Sequence, residues 1–177
     1  KFIKEQGYAG MFVTDHFFNG NSGVDRELPW PERVAEYMRG YEEAKAWGDA
    51  NGLDVFFGIE WNFKGDEYLL YGVSWEWLLE YPHMLEWSHS RLFEEINRIG
   101  GLMVQAHPFR DRPYINTIHL HPEHVHAIEL VNAGNSPYND SMAAIYAKHF
   151  GFRTTAGSDL HRNVLPERGL KGVISPY

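Results

Sequence analysis

Apolar and polar positions come in blocks along this chain, with short apolar runs separated by longer stretches of helical spacing. Gly10-Met11-Phe12-Val13-Thr14 reads as a short buried strand ending in a polar cluster. Over residues 32–51, Val34, Tyr37, Met38, Tyr41, Ala44, Ala46 and Trp47 recur at helical intervals, and Asn51-Gly52 supplies the stop. A strand is expected over 54–59, ending at Glu60, and a further apolar run covers 68–73. Residues 90–99 read as a helix stopped by Gly100-Gly101, and 102–105 as a strand that delivers Ala106-His107-Pro108. A strand over 127–131 precedes Asn132, and a helix over 140–150 stops at Gly151. A strand over 153–156 leads into Gly157-Ser158-Asp159, and 172–174 reads as a last strand. This alternation predicts an α/β protein with a largely parallel sheet, open or closed into a barrel. With no repeat, low-complexity tract or linker, residues 1–177 are expected to form a single domain. Residues 1–7 (KFIKEQG) read as the end of an amphipathic helix stopped by Gly7, so the pattern as given is expected to lack its first strand.

Composition narrows the function classes. A chain of 177 residues can bury roughly 70% of its unfolded surface and needs no staples. It has no cysteine, which excludes a disulfide framework and a Cys-ligated zinc or iron–sulfur site and fits a cytoplasmic setting. No apolar run approaches the ~18 residues of a membrane span, so no membrane partner is expected. Sixteen basic against 24 acidic residues give a net charge of −8, against stable binding to nucleic acid by phosphate neutralisation. The Trp75-Glu76-Trp77 segment, with Trp61 and Trp87, is the most aromatic region, and packing rather than a ligand platform is its expected role.

The candidate chemistry lies in where the polar groups fall. Asp15-His16, Glu60, His107, Glu129 with Asn132, and Asp159 with His161 each follow a different apolar run. In parallel α/β architectures, ligands and catalysis sit at the carboxyl ends of the strands. Imidazole and carboxylate donors suit Zn, Mn or Fe, and several converging on one mouth can hold two or more cations. Gly157 allows close backbone approach, and a tight turn or a cis bond at His107-Pro108 would aim the imidazole outward.

Val13-Thr14-Asp15-His16, Gly58-Ile59-Glu60, Ala106-His107-Pro108-Phe109-Arg110, Ile128-Glu129-Leu130-Val131-Asn132 and Gly157-Ser158-Asp159-Leu160-His161 together resemble the successive motifs of the PHP (polymerase and histidinol phosphatase) superfamily. The resemblance covers nearly the whole chain. It implies a distorted (β/α)7 barrel holding two or three divalent metals and hydrolysing phosphate esters. Carried over by motif, His16, Glu60, His107, Asp159 and His161 would be metal ligands, with Asn132 or Glu129 near a further ligand position. Arg110 would face the substrate phosphate, where a planar guanidinium can grip two oxygens. The family also opens with a His-x-His pair, which nothing before Lys1 supplies. His119-Leu120-His121 has those letters but lies between the segments of His107 and Glu129, and reads, with His124 and His126, as a polar loop and helix start.

The expected function is therefore a metal-dependent phosphoesterase acting on a small phosphomonoester, such as a histidinol-phosphate-like compound, through a metal-bound hydroxide. Asp15 is the candidate for orienting a ligand imidazole or protonating the leaving group. Three rivals remain. A nuclease or nucleotide phosphatase would stack bases on Phe17, Phe18 or Trp61 near the mouth. An amidohydrolase would normally add a lysine at a strand end, and none is expected there. A barrel module without chemistry would account for the missing His-x-His pair.

Overall fold

The computed structural model describes residues 1–113 and 115–169. Its elements are α1 (Phe2–Glu5), β1 (Gly10–Val13), α2 (Trp30–Asn51), β2 (Asp54–Phe63), β3 (Asp66–Tyr71), α3 (Trp75–Glu80), α4 (His89–Arg98), β4 (Leu102–Gln105), β5 (Ala127–Asn132), α5 (Pro137–Phe150) and β6 (Arg153–Gly157), with a 3-10 turn at Met84–Glu86. The strand expected over 172–174 lies outside the described residues.

The local chemistry explains most boundaries. Helix α2 starts earlier than its apolar spacing because Pro31 fits the first turn, where a missing N–H breaks no helical bond. It ends at Gly52, whose left-handed φ of 67° lets its N–H return to the Gly48 carbonyl. Ser74, Ser88 and Ser136 cap α3, α4 and α5 by accepting the backbone N–H three residues on. Helix α3 is an element that the spacing did not predict: its tryptophans hide a single capped turn and a half.

The strands are ordered β1-β2-β3-β4-β5-β6. Pairs β1–β2, β4–β5 and β5–β6 are parallel. Only Lys64 and Gly65 separate β2 from β3, and a two-residue connection can return a neighbouring strand only antiparallel. Both turn residues have positive φ, 55° and 98°, the signature of a tight hairpin. The sheet is therefore mixed. The (β/α)7 barrel implied by the family resemblance is not what forms: six strands are described, with a hairpin where a barrel needs a helical crossover.

The chain divides into two compact units, residues 1–62 with 69–101, and residues 63–68 with 102–177. The first is built on Phe17, Val34, Ile59, Trp61, Leu78 and Ile96, all essentially inaccessible. Phe17 stacks on Phe18 (4.2 Å between ring centres) and on Trp61 (5.5 Å) and meets Tyr37 edge-on. The tryptophan-rich segment packs similarly, Trp77 against Tyr81 and Trp87. The second unit buries Met103, Val104, Ile128, Ala143, Tyr146 and Ala147 between β4–β5–β6 and α5. Here β5 and β6 are joined through α5, whereas residues 106–126 joining β4 to β5 contain no described helix, so the helix start expected near His124 does not form. Structureless connections of this length are uncommon unless they carry function.

Candidate functional site

In the first unit the chain leaves β1 and continues beside β2. His16 and Glu60 form a parallel bridge, with Phe17 N–H donating to the Glu60 carbonyl (2.8 Å) and Glu60 N–H to the Asp15 carbonyl (3.0 Å). This fixed register brings His16 Nδ1 to 2.8 Å from Glu60 Oε2. Glu60 lies inside β2 rather than at its end, because buried Trp61 carries the strand onward. Asp15 does not meet His16 in this arrangement. Its side chain is exposed, close to Gly40 of α2, and its carbonyl accepts the Tyr37 hydroxyl at 2.5 Å. Burial, then the charges of Asp15 and Glu60, push the Tyr37 phenol well above its ordinary value, so it remains a donor.

The second unit gathers most of the remaining candidates. His107 lies two residues past β4 and is buried. Its N–H donates to Glu129 Oε2 (2.8 Å), and its Nε2 stands 3.3 Å from Glu67 Oε2. No peptide is cis among the described residues; instead His107 and Phe109 take φ of 28° and 67° in a turn closed by Arg110 N–H on the His107 carbonyl. Asp159 also has positive φ, 48°. Non-glycine residues in the left-handed region are strained and cluster at functional positions.

Glu129 and Asn132 would ordinarily face opposite sides of β5. A register shift between Glu129 and Val131 removes one residue from the alternation. Both side chains therefore share a face, and Asn132 Nδ2 donates to Glu129 Oε2 at 2.8 Å. Gly157 has the close-approach role expected of it: a Cβ there would collide with Glu129 Oε1. Asn132 Oδ1 accepts from Arg110 Nη2 (3.0 Å) and Gly134 N–H (2.7 Å), while Asn135 Oδ1 accepts from Arg110 Nε (3.2 Å). Arg110 also pairs with Asp159 through Nη2, and His161, largely exposed, places Nδ1 3.4 Å from Asp159 Oδ1.

Three supporting residues escaped the sequence reading. Glu67 comes from the β2–β3 hairpin, whose antiparallel return the parallel-sheet expectation did not contain. Arg168 donates to the carbonyls of Asn132 (3.2 Å) and Asn135 (2.7 Å) and pairs with buried Asp140 (2.7 Å). Only Asp140, four residues past Ser136 and inside the first turn of α5, left a trace, as part of a helix start.

Burial raises the Glu129 carboxyl above its ordinary range, and Asp159 adds to this, while His107 and Asn132 oppose it. A raised carboxyl pKa favours folding below the unfolded value, and that contribution is lost as pH rises through the folded value. In chelator-treated protein, Glu129→Gln is accordingly expected to gain stability relative to the parent as pH rises through that window, with little difference in acid. Urea denaturation at stepped pH reads this directly, and a difference independent of pH would contradict it.

Imidazole nitrogens and carboxylate oxygens at these spacings make a donor set suited to Zn, Mn or Fe. A cation would compensate the buried Glu129 and the paired carboxylates, so the residues present fit the metals that the resemblance implies.

No family model matches the chain, and no curated protein does. Among solved structures, PsfC from Pseudomonas syringae superposes with a TM-score of 0.63 at 21% identity, over 92% of this chain and 66% of PsfC. The chain thus spans slightly under two thirds of that protein. A Bifidobacterium adolescentis protein, named for an inferred metal-dependent phosphoesterase activity, superposes with a TM-score of 0.56 at 12% identity over 93% of both chains. The chain shares their fold. At these identities the likeness concerns the fold alone. No described helix is long and apolar enough to cross a membrane.

Proposed function

We propose that this protein is a metal-dependent phosphoesterase hydrolysing a small phosphomonoester. The observation that carries the reading is the setting of Arg110. Its guanidinium is forked among Asp159, Asn132 and Asn135, in the same unit as the His107–Glu129 contact and the strained Asp159. The inferred activity of the Bifidobacterium neighbour supports the same chemistry.

Divalent cations, two or three of Zn, Mn or Fe, would be held by His16 and Glu60 in one unit and by His107, Asp159 and His161 in the other. When bound, they supply Lewis acidity toward phosphoryl oxygens and activation of water. Arg110 commits Nε and Nη2 to Asn135, Asn132 and Asp159, and Nη1 is the side of its planar, delocalised charge that would meet a phosphoryl oxygen. Asn132 and Asn135 keep that fork in plane, and Arg168 holds both asparagines by their carbonyls. Asn132 also joins Arg110 to Glu129, so its present use is as a bridge between them. Asp15, with its exposed carboxylate away from His16, is left with a backbone role under Tyr37.

The nuclease reading relied on Phe17, Phe18 and Trp61 as stacking platforms. All three are core residues, 0%, 3% and 1% exposed, and cannot receive a base without unfolding. Monoesters are therefore favoured. The protein is expected to release phosphate from p-nitrophenyl phosphate after reconstitution with Mn2+ or Zn2+, to lose at least roughly 10²-fold in rate with chelator, and to turn over short oligonucleotides far more slowly. Equal rates with and without chelator would contradict the metal requirement. Faster oligonucleotide cleavage would move the substrate to nucleic acid.

A further inference from the structure

The long connection between β4 and β5 carries His119, His121, His124 and His126, none of which the phosphoesterase reading uses. These four histidines are sorted by what their ring nitrogens already do. His126 Nδ1 accepts the Met103 N–H at 3.0 Å, and His126 N–H donates to the Met103 carbonyl at 2.8 Å. That ring is tied to β4 as an acceptor and serves as a strut. His119 is held by Asp66: Oδ2 accepts the His119 backbone N–H (3.1 Å) and lies 2.6 Å from its Nδ1. With two contacts converging on one carboxylate oxygen, the ring donates Nδ1–H and keeps the Nε2 lone pair outward from that contact. His119 is thereby committed to Asp66, which leaves the His121–His124 pair as the candidate donors.

His121-Pro122-Glu123-His124 forms a tight turn, closed by His124 N–H on the His121 carbonyl at 3.0 Å. Pro122 presets φ at the second turn position, which makes the reversal inexpensive. The turn folds the second imidazole back toward the first, and ligand nitrogens of His121 and His124 lie within 4.8 Å of one another. Two nitrogens bound to one tetrahedral zinc at about 2.0–2.1 Å are separated by about 3.3 Å, a change that side-chain rotation can supply.

We propose that the His121–His124 turn chelates a single late first-row divalent cation of the zinc class. This site is separate from the residues assigned to phosphate ester hydrolysis, and it stands whether or not that activity exists. Zinc rather than calcium or magnesium follows from the donors, since imidazole suits zinc and its neighbours whereas hard cations take oxygen.

Zn2+ binding by the full chain, followed by equilibrium dialysis and elemental analysis, tests this. The doubly substituted chain (H121Q with H124Q) is expected to bind one Zn2+ fewer than the parent at saturation, whereas His126→Gln leaves the stoichiometry unchanged. Should the double variant fold poorly, imidazole nitrogen NMR of the unmodified chain reads the same claim, as Zn2+ should shift the ring signals of His121 and His124 but not of His126. Unchanged stoichiometry in a folded double variant, or unmoved His121 and His124 signals, overturns the proposal. Loss of ester hydrolysis without loss of this Zn2+ bears only on the catalytic reading.

Discussion

Arg110→Ala is expected to lower kcat/KM for a phosphomonoester by roughly 10²-fold or more, the scale on which a lost transition-state donor is felt. The substitution removes a fork that is held on three sides, so the phosphoryl group loses both charge and orientation. Cation binding should move the other way. Asp159 now shares its carboxylate with Arg110, and without that competitor it is expected to bind a divalent ion at least as tightly as before. Arg110→Lys keeps the charge but not the fork, and should recover only a minor part of the rate. Steady-state kinetics beside a Mn2+ titration reads this split. Rate and cation affinity falling together would instead mark Arg110 as structural support.

Asp159→Asn should give the opposite pattern. Asparagine tolerates the left-handed φ of 48° nearly as well as aspartate, so the backbone is expected to keep its path. What disappears is the negative charge that pairs with both Arg110 and His161. Cation affinity is expected to fall by roughly 10²-fold or more, beyond the loss typical of a merely supporting partner. Turnover should fall with it and be partly restored by excess Mn2+. Isothermal titration with Mn2+ at fixed pH, beside the phosphate-release assay, measures both. Unchanged affinity would remove Asp159 from the ligand set.

The two variants probe residues that the sequence exposes to different degrees. His107 and Asp159 were legible because each lies just past a short apolar run, and β4 and β6 do stop two residues before them. Glu60 was found for a reason that proves incomplete. It was expected at a strand end, yet β2 runs on through Trp61 to Phe63, and the bridge to His16 places it. Glu129 with Asn132 illustrates what a linear pattern hides. Their shared face depends on a β-bulge, and nothing in Glu129-Leu130-Val131-Asn132 marks the extra residue.

Glu67 was invisible for a related reason. A parallel-sheet expectation makes residues 64–67 a loop, whereas the Lys64-Gly65 hairpin returns Glu67 toward His107. That hairpin also separates the sheet from a seven-stranded barrel, so one local feature accounts for the unexpected partner and the altered architecture. The aromatic residues were read correctly as packing around Trp77. The same packing role holds for Phe17, Phe18 and Trp61, whose apolar bulk lies in the core.

Anomalous diffraction from crystals grown with Mn2+ tests most directly whether these side chains hold cations. Peaks are expected within bonding distance of His16 and Glu60 in one unit and of His107 and Asp159 in the other. Their nitrogens and oxygens should complete the coordination. Well-ordered side chains at these positions with no anomalous density beside them, at Mn2+ concentrations that support turnover, would contradict it.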